Sequence, residues 1–167
     1  MGYEEHKHLS PQKVHCAVII ISDSRTEKTD ESGKLLVEGL KSAGHEVVSF
    51  SLLKNDREAI QGKMGELLHS AEVQAIIASG GTGASKMDIT IETVLPMLEK
   101  RLDGFGELFR YLTYQEIGTG SILSRSTAGV ALGKAVICLP GSLKAVKLAL
   151  EKIILPEIGH LVREAAR

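Results

Sequence analysis

Apolar residues along this chain come in short unbroken runs, separated by segments with helical spacing. After a polar opening, MGYEEHKHLSPQK, the stretch VHCAVIII from Val14 to Ile21 is too continuously apolar for a half-exposed strand and is rich in β-branched residues. That pattern predicts a central parallel strand covered on both faces. Asp30 then offers an N-cap to a helix with Leu36, Leu40 and Ala43 on one face, closed by Gly44. Residues 47–53 predict a second strand, Asn55 is expected to cap a second helix with Ile60, Met64, Leu67 and Leu68 inward, and residues 73–78 predict a third strand.

The alternation β-α-β-α-β predicts an α/β fold, a doubly wound and mostly parallel sheet with helices on both faces. In such sheets ligands bind outside the carboxyl ends of the strands. Farther on, Phe105, Leu108, Phe109 and Leu112 recur at helical spacing; residues 127–132 and 135–139 read as two strands joined by a tight turn at Gly133-Lys134. Pro140-Gly141-Ser142 ends the second of these and opens a helix over residues 143–154, with a last helix after Pro156. No repeat or linker divides the chain, so the expectation is one domain over residues 14–167 behind a flexible arm over residues 1–13.

Composition narrows the partners. The 167 residues suit a single domain that buries ~70% of its unfolded surface without a metal or disulfide staple. With 20 basic and 21 acidic residues the net charge is -1, which lacks the broad basic footprint of non-specific nucleic-acid binders, so no nucleic-acid partner is expected. Cys16 and Cys138 lie inside apolar runs and read as buried free thiols of a reducing compartment. No charged leader runs into an apolar core and no apolar stretch reaches the ~18 residues of a membrane span, so the expectation is a soluble, cytoplasmic protein with no membrane partner. His6 and His8 lie in the arm and His15, His45, His69 and His160 are scattered, without zinc-ligand spacing.

Candidate chemistry concentrates where the third strand meets Ser79-Gly80-Gly81-Thr82-Gly83, with Ser85 and then Asp88 following. Backbone N–H groups in a tight glycine loop form a nest for an anion, and hydroxyls add donors. Neither named phosphate motif fits: a Walker loop would need G-K-[ST], and the spacing G-x-G-x-x-G fails at Lys86. A ligand-free turn is the plain alternative. Pro140-Gly141-Ser142 with Lys144, and Ser22-Asp23-Ser24-Arg25, stand at two other strand ends, so three polar loops are expected to converge on one edge. Asp88 reads either as an ordinary charge at a helix start or, beside phosphate, as a magnesium ligand.

Together, Ser22-Asp23-Ser24-Arg25, Ser79 to Gly83 followed by Asp88-Ile89-Thr90, G-F-G-E-L-F-R at 104–110 and PGSLKAV at 140–146 resemble the molybdenum cofactor biosynthesis proteins of the MoaB/MogA type, in order and over nearly the whole chain. The resemblance implies an oligomeric molybdopterin-binding domain, a homotrimer or homohexamer. Family members with activity transfer AMP from Mg-ATP to the molybdopterin phosphate. By position, the glycine loop would hold phosphate, Asp88 would match the family's essential aspartate, and Ser142 with Lys144 would line the pterin side. Lys54-Asn55-Asp56 departs from a P-D-[DE] pattern, leaving Asp56 as the neighbouring carboxylate to work with Asp88 around Mg2+; Met87 stands for an arginine and Leu143 for a proline. The resemblance thus admits a molybdopterin adenylyltransferase or a non-catalytic pterin carrier; a generic nucleotide-binding α/β protein is a third reading.

Overall fold

Strand β1 (His15–Ile21) has no face to spare: Cys16, Val18 and Ile20 pack on one side of the sheet and Ala17, Ile19 and Ile21 on the other, all 0–1% exposed. This alternation follows from the two-residue repeat of a strand. It makes β1 the spine of two hydrophobic layers. The computed structural model describes residues 2–167; Met1 and the His6 side chain lie outside the described residues, and with them the sequence reading of His6.

Helix α2 (Glu31–Ser42) covers one face with Leu36 and Leu40, and α3 (Arg57–His69) covers the other with Ile60, Met64, Leu67 and Leu68. Strands β2 (Glu46–Leu53) and β3 (Ala75–Ser79) flank β1 on its two sides, both parallel to it. The chain therefore runs outward from β1 to β2 and then crosses back to β3, which opens a crevice at the carboxyl ends of β1 and β3. Helix α4 (Thr90–Val94), strand β4 (Lys100–Arg101), helix α5 (Asp103–Ile117), strands β5 (Thr127–Ala131) and β6 (Lys134–Leu139) and helix α6 (Leu143–Ala149) follow. The sheet order is β2-β1-β3-β6-β5-β4, with β6 parallel to β3 and the last two strands antiparallel. The doubly wound, mostly parallel sheet is as the alternation predicts.

Three local expectations are corrected. Asn55 does not cap α3; Asp56 does, its Oδ1 accepting the Ala59 N–H at 2.7 Å. The β5–β6 turn falls at Leu132-Gly133, both with positive φ (48° and 72°), the mirror-image turn whose twist suits a hairpin. The helix opened by Ser142 does not stop before Pro156. A π-helical turn over 150–154 joins α6 to α7 (Leu155–Ala165), widening the helix where Pro156 has no N–H to give the preceding turn. Of the apolar residues at helical spacing on α5, Phe105 and Phe109 are buried in this chain's own core, while Leu108 is exposed together with Tyr111, Tyr114 and Ile117.

The polar segment before β1 contains helix α1 (Tyr3–His8), whose Lys7 Nζ lies 2.8 Å from Glu157 on α7. Both cysteines are buried and free, and burial pushes each thiol up to about 12.

Candidate functional site

The crevice beside β1 holds a cavity of about 530 Å³. Its walls come from the carboxyl ends of the parallel strands: Ser22, Asp23, Ser24 and Arg25 after β1, Asn55 after β2, Gly80 to Gly83 and Asp88 after β3, and Pro140 with Gly141 after β6. The three polar loops read from the sequence do converge.

The glycine loop is shaped by the protein around it. Gly80 (φ 104°) and Gly81 (φ 63°) adopt left-handed conformations. A Cβ on Gly80 would lie 2.1 Å from the Ile21 carbonyl oxygen, and one on Gly81 would lie 2.4 Å from both Asn55 Oδ1 and Thr90 Oγ1. Glycine is the one residue that satisfies both demands. Gly83 leaves room for a side chain instead: a Cβ there would be 2.6 Å from Asp88 Oδ2.

Hydrogen bonding in this loop is one-sided. Its carbonyls are fastened: Gly80 O accepts from Thr90 Oγ1 at 2.7 Å, Gly81 O from the Thr90 N–H at 2.9 Å, and Gly83 O from Arg125 Nη1 at 2.8 Å. Arg125 is itself held by an ion pair with Glu92. The Gly80 N–H continues the sheet to Leu139 O. The N–H groups of Gly81, Thr82 and Gly83 donate to nothing among the described residues. Held carbonyls with consecutive amides left over are the arrangement an anion nest requires.

Around it, Ser22 Oγ accepts from the N–H groups of Ser24 and Arg25, folding the first loop, and Arg25 Nη2 donates to Gly141 O at 2.6 Å, lacing that loop to the third. Lys54 Nζ donates to Asp23 O at 2.6 Å. Asn55 gives Asp23 both its donors, the backbone N–H to Oδ1 and Nδ2 to Oδ2, each at 3.0 Å. These bonds, the backbone one foremost, hold the Asp23 carboxyl below the usual carboxylate range. Asp88 Oδ2 accepts from the Ser85 N–H at 3.1 Å, so its other oxygen stays available.

Of the sequence candidates, Ser22, Asp23, Gly80, Gly81, Thr82, Gly83, Asp88, Pro140 and Gly141 share the cavity wall. Ser79 is buried behind it, its Oγ donating to Pro140 O at 3.1 Å. Ser142 caps α6, its Oγ accepting the Ala145 N–H. Lys144 lines a different hollow, of about 500 Å³, with Glu116, Ile117 and Lys147. Asp56, occupied as a helix cap, is not on the wall. Arg125 and Thr90 were missed as anchors of the loop; they are far in sequence or plain in type, and no local pattern marks them. Among the described residues no group of three or more His, Cys, Asp or Glu side chains is placed to hold a metal ion. Asp23 and Asp88 line the same cavity and are the carboxylates through which a magnesium ion would be held there, since that ion takes one or two carboxylates plus phosphate oxygens.

Comparison with known proteins gives a consistent result. The family profile described as "Probable molybdopterin binding domain" matches residues 17–160. Molybdenum cofactor biosynthesis protein B of Bacillus cereus is 46% identical over 168 residues, covering 100% of this chain and 99% of that protein. Its counterpart in Bacillus subtilis is 45% identical, over 98% of this chain and 97% of that protein. A crystal structure of a molybdenum cofactor biosynthesis protein B superposes with a TM-score of 0.90 at 47% identity, covering 93% of this chain and 98% of that one. The tungsten cofactor synthesizing protein MoaB from Pyrococcus furiosus superposes with a TM-score of 0.85 at 34% identity, over 95% and 100%. Among the described residues no helix is long and apolar enough to cross a membrane.

Proposed function

The chain belongs to the molybdopterin-binding domain family of molybdenum cofactor biosynthesis proteins, and from that premise we propose that it is a molybdopterin adenylyltransferase. In this reading an oxygen of the molybdopterin phosphate attacks the α-phosphorus of ATP, a new P–O bond forms, the bond to the bridging oxygen breaks, and pyrophosphate leaves. The observation that carries it is the free run of amides at Gly81, Thr82 and Gly83 beside the carboxylate of Asp88.

Phosphoryl-type transfers need positioning and charge stabilisation more than a covalent nucleophile. The amides would grip phosphate oxygens, Arg25 would supply a fixed cation on the same wall, and the pterin would lie toward Lys144 and its hollow. Magnesium, when bound through Asp88, would neutralise charge on the ATP phosphates. One Asp88 oxygen folds the loop by accepting the Ser85 N–H, and the other is left to face the cavity charge. The second reading, a carrier that holds the pterin without turnover, is favoured by the neutral Asn55 at the position where the resemblance expects an aspartate.

Purified protein given Mg-ATP and molybdopterin should yield adenylylated pterin and pyrophosphate; pterin binding with no product selects the carrier. Asp88→Asn keeps size while removing charge, so pterin affinity should stay near wild type and adenylylation should fall about a hundredfold, or ~3 kcal/mol of transition-state stabilisation. Wild-type turnover in that variant reduces Asp88 to a structural charge.

We infer as well that the chain forms a homotrimer or homohexamer, supported by Leu108, Tyr111, Tyr114, Ile117 and Ile122, all at least 44% exposed on α5 and the turn after it. Sedimentation at micromolar concentration should show a multiple of 18.0 kDa; a lone monomer would refute this.

A further inference from the structure

We propose that Asn55 is a positioning residue for Asp23, and that Asp23 rather than Asp56 is the second carboxylate that works beside Asp88. The inference rests on the adenylyl-transfer reading and deepens it. Asn55 meets the Asp23 carboxylate with two donors, one for each oxygen, so the carboxylate is fixed in plane and orientation as well as in charge. A bidentate hold of this kind orients an acceptor far better than a single bond does. Lys54 Nζ, bonded to Asp23 O, pins the backbone of the same residue.

An aspartate at position 55 could not do this. Its oxygens would stand about 3 Å from those of Asp23, where two carboxylates share a proton or require a cation between them. The amide therefore moves the second negative charge from position 55 to position 23 instead of deleting it. Asp56 does not take the place: it caps α3 through Oδ1 and is not on the cavity wall that Asp23 and Asp88 share.

The remaining polar atom of Asn55 strengthens the assignment. Its Oδ1 is buried and has no hydrogen-bond partner among the described residues, and it lies where a side chain on Gly81 would go. Buried acceptors are rarely left orphaned. With both donors turned to Asp23, this oxygen is packed against the free-amide loop, so the Asn55 side chain sits between that loop and the Asp23 carboxylate. The other charged groups on the wall are Arg25, which is bonded to Gly141, and Asp88.

The test is an NMR titration of the Asp23 side-chain carboxyl in wild type, Asn55→Ala and Asn55→Asp, together with MgCl2 binding and steady-state turnover. Removing the amide should raise the pH at which Asp23 titrates and lower kcat about tenfold, with a smaller change in the KM for Mg-ATP. Asn55→Asp should drive one carboxyl of the pair to titrate well above the ordinary range, or tighten Mg2+ binding at least tenfold, and shift the pH profile of turnover upward. A purely structural Asn55 would leave both profiles unmoved. Identical Asp23 titration in wild type and Asn55→Ala overturns the proposal, as does wild-type turnover in Asp23→Asn. The titration needs no catalysis, so a wild type that never adenylylates pterin would overturn the reading above and leave the decision on Asn55 to the Asp23 titration and Mg2+ response.

Discussion

The loops that leave β3 and β6 contain the same ingredients, a glycine, a hydroxyl and a lysine close behind, and they stand side by side on the sheet. A Cβ on Gly141 would lie 3.1 Å from the Gly80 Cα. Their uses differ. After β6 the chain enters a helix at once, and the exposed Ser142 caps it. After β3, Gly80 and Gly81 take left-handed conformations, no helix begins until Thr90, and three consecutive amides stay without acceptors among the described residues. The Ser142 oxygen accepts from the first turn of the helix, which fixes its orientation there, and Ser142 is not among the residues of the cavity wall. Free backbone donors need a loop whose carbonyls are held from elsewhere, here by Thr90 and Arg125.

The harshest way to break this contrast is Gly80→Ala. Its Cβ would strike the Ile21 carbonyl, backbone against backbone, in a φ that L residues avoid, and the expected loss is ~3 kcal/mol or more in a denaturant melt. Gly141→Ala, whose nearest contact would be the Gly80 Cα at 3.1 Å, should cost about 1 kcal/mol. Equal costs would show that the two loops are equally tolerant and the contrast false.

Gly83→Ala probes the site more than the fold. The obstacle is the tip of Asp88, a side chain that can swing, so stability should change by under ~1 kcal/mol while adenylyl transfer drops about tenfold or more. A variant as active as wild type would mean that the position of Asp88 does not matter. The smallest effect belongs to Ser142→Ala, which should lose the ~1 kcal/mol of a helix cap and leave ATP binding within about twofold. Loss of ATP binding in this variant would put its hydroxyl back in the ligand site.

Much of the fold was legible because burial on two faces leaves a plain mark. Continuous apolar runs such as residues 14–21 and 135–139 can be little else than central strands, and the helical spacing between them set the order β-α-β-α-β. The cavity residues at 22–25, 80–83 and 140–141 were legible too, since ligands collect at strand ends in such sheets. What misled was the choice between adjacent polar residues: Asn55 and Asp56 are both good caps by type, and only backbone direction shows that Asp56 caps α3 while Asn55 turns to Asp23.

The sequence alone therefore determined the layers, the strand-end location of the polar loops and the family, because these depend on periodicity and on motifs local to a few residues. The tertiary structure decided the rest. That Thr90 and Arg125 fasten the glycine loop, that Lys144 turns to another hollow and that Asp23 finds its partner 32 positions away on Asn55 are facts of side-chain direction across strands. A one-residue change of direction costs the chain pattern nothing, yet it decides which residue caps α3 and which one holds Asp23.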